Sequence, residues 1–450
     1  MSSSFPGFAA GACALGLVAF VAPFASAAPL ERADAVARAL ERSPEAAADR
    51  AAVGEAGRLA LAAGAYPHNP RLAFEASGDG IGPFAADDRT LRLALSQELD
   101  VHDARGARRA VAGAEAVLLE AEAQGHAHAL GRRTEEAFGA LLVERRRADL
   151  ADSVAGASAR IVTAARRAAR QEAISAYALR RIELDDATVR ERTARARGGR
   201  EEAEATLRAL LLAAPDEAIE PVDDLERGPW RLPADSLTAV ALAKRHDVLE
   251  ARAREGLRAT ETRLLAREGR PGPEIELFVE RARERVDADA FGGSLDGVLG
   301  FDGFATEATT VGAGVALPLP FFARSAWATG KGTIEEARAR AERLRIEARV
   351  PIEVRAACDR LAAAQERAAI LRAALVRAGD DRRRLESAYR EGRLDLDGYL
   401  AQRNRLVEAE EAELDARADI EAARGALSHA TGLSHAALAA ALEAPEGGSR

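Results

Sequence analysis

The chain has 450 residues and a formal net charge of -9, with 48% hydrophobic, 30% charged and 4% aromatic side chains. An acidic balance leaves no basic footprint for nucleic acid, and DNA and RNA binding are set aside. Ala, Arg, Glu and Leu dominate and Met1 is the single methionine, a profile of long helices packed through Ala and Leu seams rather than of compact aromatic-cored domains.

Residues 1–28 differ in kind. Gly11 to Phe24 is an uncharged apolar run ending in the small residues Ala25, Ser26, Ala27 and Ala28, which reads as a secretory signal with an Ala-x-Ala cleavage site, although no Lys or Arg precedes it. The alternative is a membrane anchor, but the run falls short of the ~20 residues a spanning helix needs. Cys13 has Ala10 where a lipoprotein signal wants Leu. Beyond this segment Cys358 is the sole cysteine, which excludes an internal disulfide and a multi-cysteine zinc site.

The remainder reads as two repeats of one unit, 29–234 and 235–450. Ser43-Pro44-Glu45 before an Ala-rich helix recurs as His246-Asp247-Val248, and Asn69-Pro70-Arg71-Leu72 as Gly272-Pro273-Glu274-Ile275, both at an offset of 203. The strand at Leu91 recurs at Val311 and Ser175 as Asp395, both at 220, because one loop is longer in the second half. Each unit opens with a helix (Leu30 to Ala65; Asp235 to Glu268) that breaks at Pro67 and Pro70, or at Pro271 and Pro273. A strand pair follows, about 71–77 and 90–100 in the first unit and about 274–281 and 309–318 in the second. Next come a long helix (Ala104 to Arg170; Ala323 to Tyr389), a tip (about 170–176; about 390–397) and a returning helix (Ala176 to Ala213; Leu396 to Thr431). An irregular connector, 214–234, joins the units, and 432–450 forms a C-terminal tail.

The strands alternate. Leu72, Phe74 and Ala76, Leu91, Leu93 and Leu95, and Ile275, Leu277 and Val279 each fall every second residue, and Val311, Val315 and Leu317 alternate with Gly312, Gly314 and Ala316, the period of a strand with one apolar face. Each approaches the ~9 to 11 residues that cross a bilayer when tilted. Four strands cannot close a barrel, and in lipid an open edge strands polar backbone, so a membrane reading requires a barrel shared between chains. An ordinary pair of soluble hairpins is the alternative on the strands alone. The loops, Gly78 to Arg89 and Ala282 to Ala308, carry Gly and Asp as outward turns do. Ala104 to Arg170 would span ~100 Å as one helix. Leu361, Ala364, Ala368, Leu371, Leu375 and Ala378 step by three and four and Leu400, Val407 and Leu414 by seven, which is coiled-coil spacing.

Four stretches in this order resemble the TolC-like outer membrane factors, in particular the CzcC-like and CusC-like members of heavy-metal efflux systems. They are Asn69 to Glu75, Leu95-Ser96-Gln97-Glu98-Leu99, Leu317-Pro318-Leu319-Pro320-Phe321-Phe322, and Tyr389 to Leu400. The resemblance implies a mainly α fold with a small β part. Each chain of a homotrimer gives four strands to a twelve-stranded barrel in outer-membrane lipid and its helices to a long periplasmic tunnel. It also implies a conduit rather than an enzyme, with no cofactor, whose tips meet a periplasmic adaptor serving an inner-membrane RND-type transporter. Carried over residue by residue, the adaptor contacts are Glu172, Ala173, Ile174 and Ser175, and Gly392, Arg393, Leu394 and Asp395. The family's Gly-x-x-Ser pattern is broken by Glu172 in the first tip and by Asp395 in the second. Asp395 and Asp397, tripled around an axis, are the candidate pore constriction, with helix capping as the alternative. A drug-efflux or secretion duct remains the rival within the family, and a soluble periplasmic coiled-coil scaffold the rival outside it.

No metal site is expected. Of His68, His102, His126, His128, His246, His429 and His435, only His126 and His128 are near in sequence, and a spacing of two points them to different helix faces. Gly330-Lys331-Gly332-Thr333 lacks the Ser or Thr that must follow Lys in a phosphate loop. Cys358 reads as a packed small residue. Trp327, just past the fourth strand, reads as an interfacial aromatic or a core one, and Trp230 stands alone.

Overall fold

Pro44 fixes the first helical boundary. A residue before proline is pushed out of the helical region, and Ser43 is extended (φ -63°, ψ 122°) while its hydroxyl accepts from the Ala46 N–H at 3.2 Å. The expected single helix from Leu30 to Ala65 is therefore two, α1 (Arg32–Arg42) and α2 (Pro44–Ala62). These coordinates are a computed structural model describing residues 29–66, 68–78, 88–223, 233–270, 272–286, 304–319 and 324–443. The expected leader, Trp230 and residues 79–87 and 287–303 of the two loops lie outside them.

The second half breaks at the matching place without a proline. Arg245 takes φ -66° and ψ 127° between α5 (Ala234–Lys244) and α6 (His246–Glu268), one residue short of the 203 spacing. Its buried guanidinium pairs with Asp247 at 2.8 Å and Glu353 at 2.5 Å, a polar anchor in place of the steric one.

α3 runs unbroken over Ala104–Arg170, 67 residues, and α4 (Ala176–Leu210) returns along it. In the second half the expected helix from Ala323 to Tyr389 divides at Val376 and Arg377 into α7 (Arg324–Leu375) and α8 (Ala378–Arg390), and α9 (Leu396–Thr431) returns. Of the seam read in the sequence, Leu361, Ala368, Ala378, Leu400, Val407 and Leu414 are buried, and Ala364, Leu371 and Leu375 are half-buried. Part of the expected tail is helical, as α10 (His435–Glu443). A short parallel pair, β1 (Pro29–Leu30) with β4 (Glu220–Pro221), ties the start of the first half to the connector, so that part of 214–234 is regular.

Two buried clusters hold the helices at mid-length. In one, Ala35 and Ala39 of α1 meet Phe138 and Leu141 of α3 and Leu207 of α4. In the other, Leu237 and Ala241 of α5 meet Val350 and Val354 of α7 and Leu427 of α9. Cys358 packs at the edge of the second cluster, and burial pushes its thiol pKa up.

Between the halves lies a buried ionic network. Arg32 of α1 pairs with Asp223 at 2.9 Å and with Glu421 of α9 at 2.8 Å, and Arg424 also reaches Glu421 at 2.9 Å. Burial raises the Glu421 pKa, but Arg32 and Arg424 outweigh it and hold the carboxyl below its usual range. Removing one member of such a network costs about 3–5 kcal/mol, because the other charges stay buried without compensation. Arg32→Leu is therefore expected to lower the unfolding free energy by that amount in guanidinium titrations followed by circular dichroism. Arg32→Leu/Glu421→Leu should recover part of the loss, a non-additivity that a double-mutant cycle detects.

Candidate functional site: a two-faced sheet and two hairpin tips

At one end of the helices, β2 (Arg71–Gly78), β3 (Arg89–Glu98), β5 (Glu274–Val286) and β6 (Phe304–Ala316) form one antiparallel sheet in the order β2-β3-β5-β6. β5 and β6 run beyond the expected 274–281 and 309–318 at their loop ends, because pairing continues through Val286 opposite Phe304. Leu72 faces Leu95 and Ile275 faces Val315, so the offsets of 203 and 220 also relate the cross-strand pairs. The two hairpins join through β3 and β5, where Leu95 lies opposite Leu277 and Leu93 opposite Val279.

This register sorts the side chains onto two faces. One carries Leu72, Phe74, Leu93, Leu95, Leu277, Val279, Val311 and Val315, and it is open: Leu72 is 70% exposed, Phe74 63% and Val311 75%. Contiguous exposed apolar surface marks a membrane or protein contact. The other face carries Arg71, Glu75, Arg92, Glu276 and Glu280. Arg92 pairs with Glu276 and lies 4.6 Å from the centroid of the Phe278 ring. Gly312 lies opposite that ring, and a Cβ there would come within 2.5 Å of Phe278 Cζ, so only glycine fits. β2 and β6 are the edge strands of this sheet.

At the far end, about 100 Å along α3 by its rise per residue, lie the tips. Glu172 has φ +56° and Gly392 φ +71°, so both turns use a left-handed residue at the same step. Ser175 caps α4, its hydroxyl accepting from the Ala178 N–H at 3.1 Å, and Asp395 caps α9, its carboxylate accepting from the Gly398 N–H at 3.0 Å. Ile174 packs with Val162, Ala165 and Ile182, and Leu396 of the other hairpin joins that cluster. Ala173 and Arg393 donate their backbone N–H groups to Ala168 and Ala388, closing the two helix ends, and Leu394 N–H reaches Ala388 at 3.2 Å. Two ion pairs bridge the hairpins. Arg181 of α4 holds Asp397 at 2.7 Å, and Arg403 of α9 holds Asp185 of α4 at 2.5 Å. Of the candidate constriction residues, Asp395 is engaged by its cap and Asp397 by Arg181.

No protein-family model and no curated protein matches the chain. Solved structures do. CusC, described in terms of folding and transmembrane channel formation, matches with a TM-score of 0.66 at 14% identity, over 89% of this chain and 92% of that one. The outer membrane protein VceC from Vibrio cholerae matches at 0.66 and 17%, over 90% and 96%. The Campylobacter jejuni CmeC outer membrane channel matches at 0.67 and 12%, over 89% and 85%. The chain shares the fold of these three structures.

Within this channel fold the tertiary structure brings together histidines that sequence spacing separates. His128 of α3 and His246 at the start of α6 stand with ring centroids 4.7 Å apart, and His429 adds to the charge field there. Burial first, then His246, push the His128 pKa down to about 4, and burial lowers His246 and His429 as well. Among the described residues no group of three His, Cys, Asp or Glu is arranged to hold a metal ion. Lys331, in the stretch that mimics a phosphate loop, lies in α7 with Nζ 3.8 Å from the exposed Trp327 ring.

Three outcomes are expected. An L-residue held left-handed costs about 1–2 kcal/mol, so Glu172→Gly should raise the thermal midpoint. Gly392→Ala should lower it, through backbone conformation alone, since nothing lies within 4 Å of a Cβ there. The folded state holds a proton on His128 less tightly than the unfolded chain, so acid favours unfolding. Stability is full above the ordinary value of 6.5 and is lost as pH falls toward 4. In guanidinium unfolding from pH 7.5 to 4, His128→Gln should flatten that limb.

Proposed function

We propose that this chain is one protomer of a homotrimeric outer-membrane efflux duct, built from two copies of a helix, strand-pair, helix unit. Three sheets close a twelve-stranded barrel in lipid, and the helices enclose a periplasmic tunnel. The protein is a conduit and catalyses nothing; an inner-membrane pump of the RND type delivers cargo, and a periplasmic adaptor engages the tips at Glu172 to Ser175 and Gly392 to Asp395. The observation that carries this reading is the two-faced sheet with apolar residues open on one side and unpaired strand edges, since such a sheet satisfies its backbone in lipid only by joining others. Channels of known structure with this fold support it.

The cargo we propose is heavy-metal cations. Glu75, Glu276, Glu280 and Glu284 share the polar face with Arg71 and Arg92, so each protomer contributes excess negative charge to the lumen. Tripled around an axis, that charge favours cations over anions. Reconstituted channels are expected to show a cation-selective reversal potential, and Glu75→Gln/Glu280→Gln should reduce it. An unchanged or anion-selective potential would remove the argument for cationic cargo.

The tip pairs act as a latch on the closed end. Arg181 and Asp397 are 44% and 57% exposed, and a pair so wet is worth about 0–1 kcal/mol. Arg403 and Asp185 are 7% and 15% exposed, and breaking that pair leaves a guanidinium without its partner in a dry setting, at about 3–5 kcal/mol. Asp185→Asn is thus expected to raise single-channel conductance more than Asp397→Asn. Equal conductance in wild type and both variants would leave the latch without support.

A further inference from the structure

Following the apolar face of the sheet toward its loop end, the residue type changes abruptly while the face does not. After the row of Leu93, Val279 and Val311 come Leu91, Arg281 and Thr309, then Arg89, Arg283 and Glu307. Hydrogen-bonded register runs without a bulge from Glu274 to Val286, so Arg281 and Arg283 stand on the same side as Leu277 and Val279. The other face at this level holds Thr90, Ala282, Glu284, Thr306 and Ala308, with no arginine. The basic residues therefore belong to one face and one height.

Two further observations bear on what they meet. Arg89 lies directly opposite Arg283, and like charges in register destabilise a strand pair unless something anionic sits between them. Glu307 lies in the field of all three arginines but is ion-paired with Arg281 at 2.5 Å, so one carboxylate is set against three guanidiniums. The height is also specific. From Ala316, where β6 ends, to Thr309 the strand advances about 23 Å, or ~17 Å across a bilayer at the usual strand tilt, which fits within the ~25 Å of an apolar barrel band. The arginine rows begin where the apolar residues of this face stop, and past the helix end of β6 Leu317, Leu319 and, in α7, Trp327 are exposed. At mid-bilayer such arginines would cost about 2–4 kcal/mol each, and at the boundary nearly nothing.

We infer that Arg89, Arg281 and Arg283 form a girdle that binds phosphate-bearing lipid headgroups of the leaflet on the loop side. Guanidinium forks match phosphate oxygens in pairs. A phosphate between Arg89 and Arg283 turns a repulsive cross-strand pair into two charge-assisted contacts. Three protomers around a barrel would present nine such arginines to the lipid. This inference rests on the barrel reading proposed above, and its test separates the two.

The full-length wild type and Arg89→Gln/Arg283→Gln would be reconstituted in phosphatidylcholine bilayers doped with bisphosphorylated lipid A or with the same lipid dephosphorylated. Channel conductance is recorded, and lipid retained after detergent exchange is counted by native mass spectrometry. The wild type is expected to retain the phosphorylated lipid about tenfold better than the dephosphorylated one. The double variant should lose that preference while conducting as before, and Arg92→Gln, on the opposite face, should keep it. Free inorganic phosphate should not displace the lipid, because the headgroup is held at the bilayer boundary by its own chains. Equal retention of the two lipids by a conducting wild type overturns the girdle and leaves the duct standing, and displacement by free phosphate overturns the lipid source. A wild type that neither inserts nor conducts overturns both.

Discussion

In water, a sheet edge loses little, because solvent replaces the missing strand; in hydrocarbon each open N–H and C=O costs several kcal/mol. That asymmetry governs the molecule. The sheet has β2 and β6 at its edges and an exposed apolar face made from all four strands. The apolar face favours lipid, and the edges forbid it to a single chain. In the proposed trimer association resolves the conflict, and the long helices follow the axis that the joined sheets define.

The helical part meets a different constraint, since 67 residues of α3 cannot be wrapped around one compact core. Stability is concentrated at mid-length, where α1 packs against α3 and α4, and α5 against α7 and α9. There the ionic network of Arg32, Glu421 and Arg424 joins the two halves. Toward the tips the packing thins to Ile174, Ile182, Leu396 and their neighbours, and polar pairs carry more of the connection. A region held by few apolar contacts and two ion pairs has its opening set mainly by those pairs, which suits the latch proposed for the tips.

Charge is likewise partitioned by place. Carboxylates predominate on the polar face of the sheet, arginines cluster on the apolar face at its loop end, and mixed Arg and Glu pairs such as Arg343 with Glu347 and Arg254 with Glu250 line the helix surfaces. The net charge of the chain conveys none of this. The same residue types stand on helix surfaces, on the polar strand face to which selectivity is assigned in the proposal, and on the apolar face, and the pleat of the strand separates the last two.

The sequence by itself determined what depends on neighbours along the chain. Alternation gave each of the four strands one apolar face, with Leu72 and Phe74, Leu93, Leu277 and Val311 on it, and three-and-four steps found the seam through Leu361 and Ala368. The tertiary structure decided what depends on residues far apart: the joining of β3 to β5, the bulgeless register that lines up Arg89 with Arg283, the meeting of His128 with His246, and the bridge from Arg181 to Asp397. It also split α5 from α6 at Arg245, where no proline announces a break and the cause is a partner, Glu353, on another helix. Periodicity is a local property of backbone geometry, whereas register and partner choice are settled by packing between elements brought together only when the chain folds.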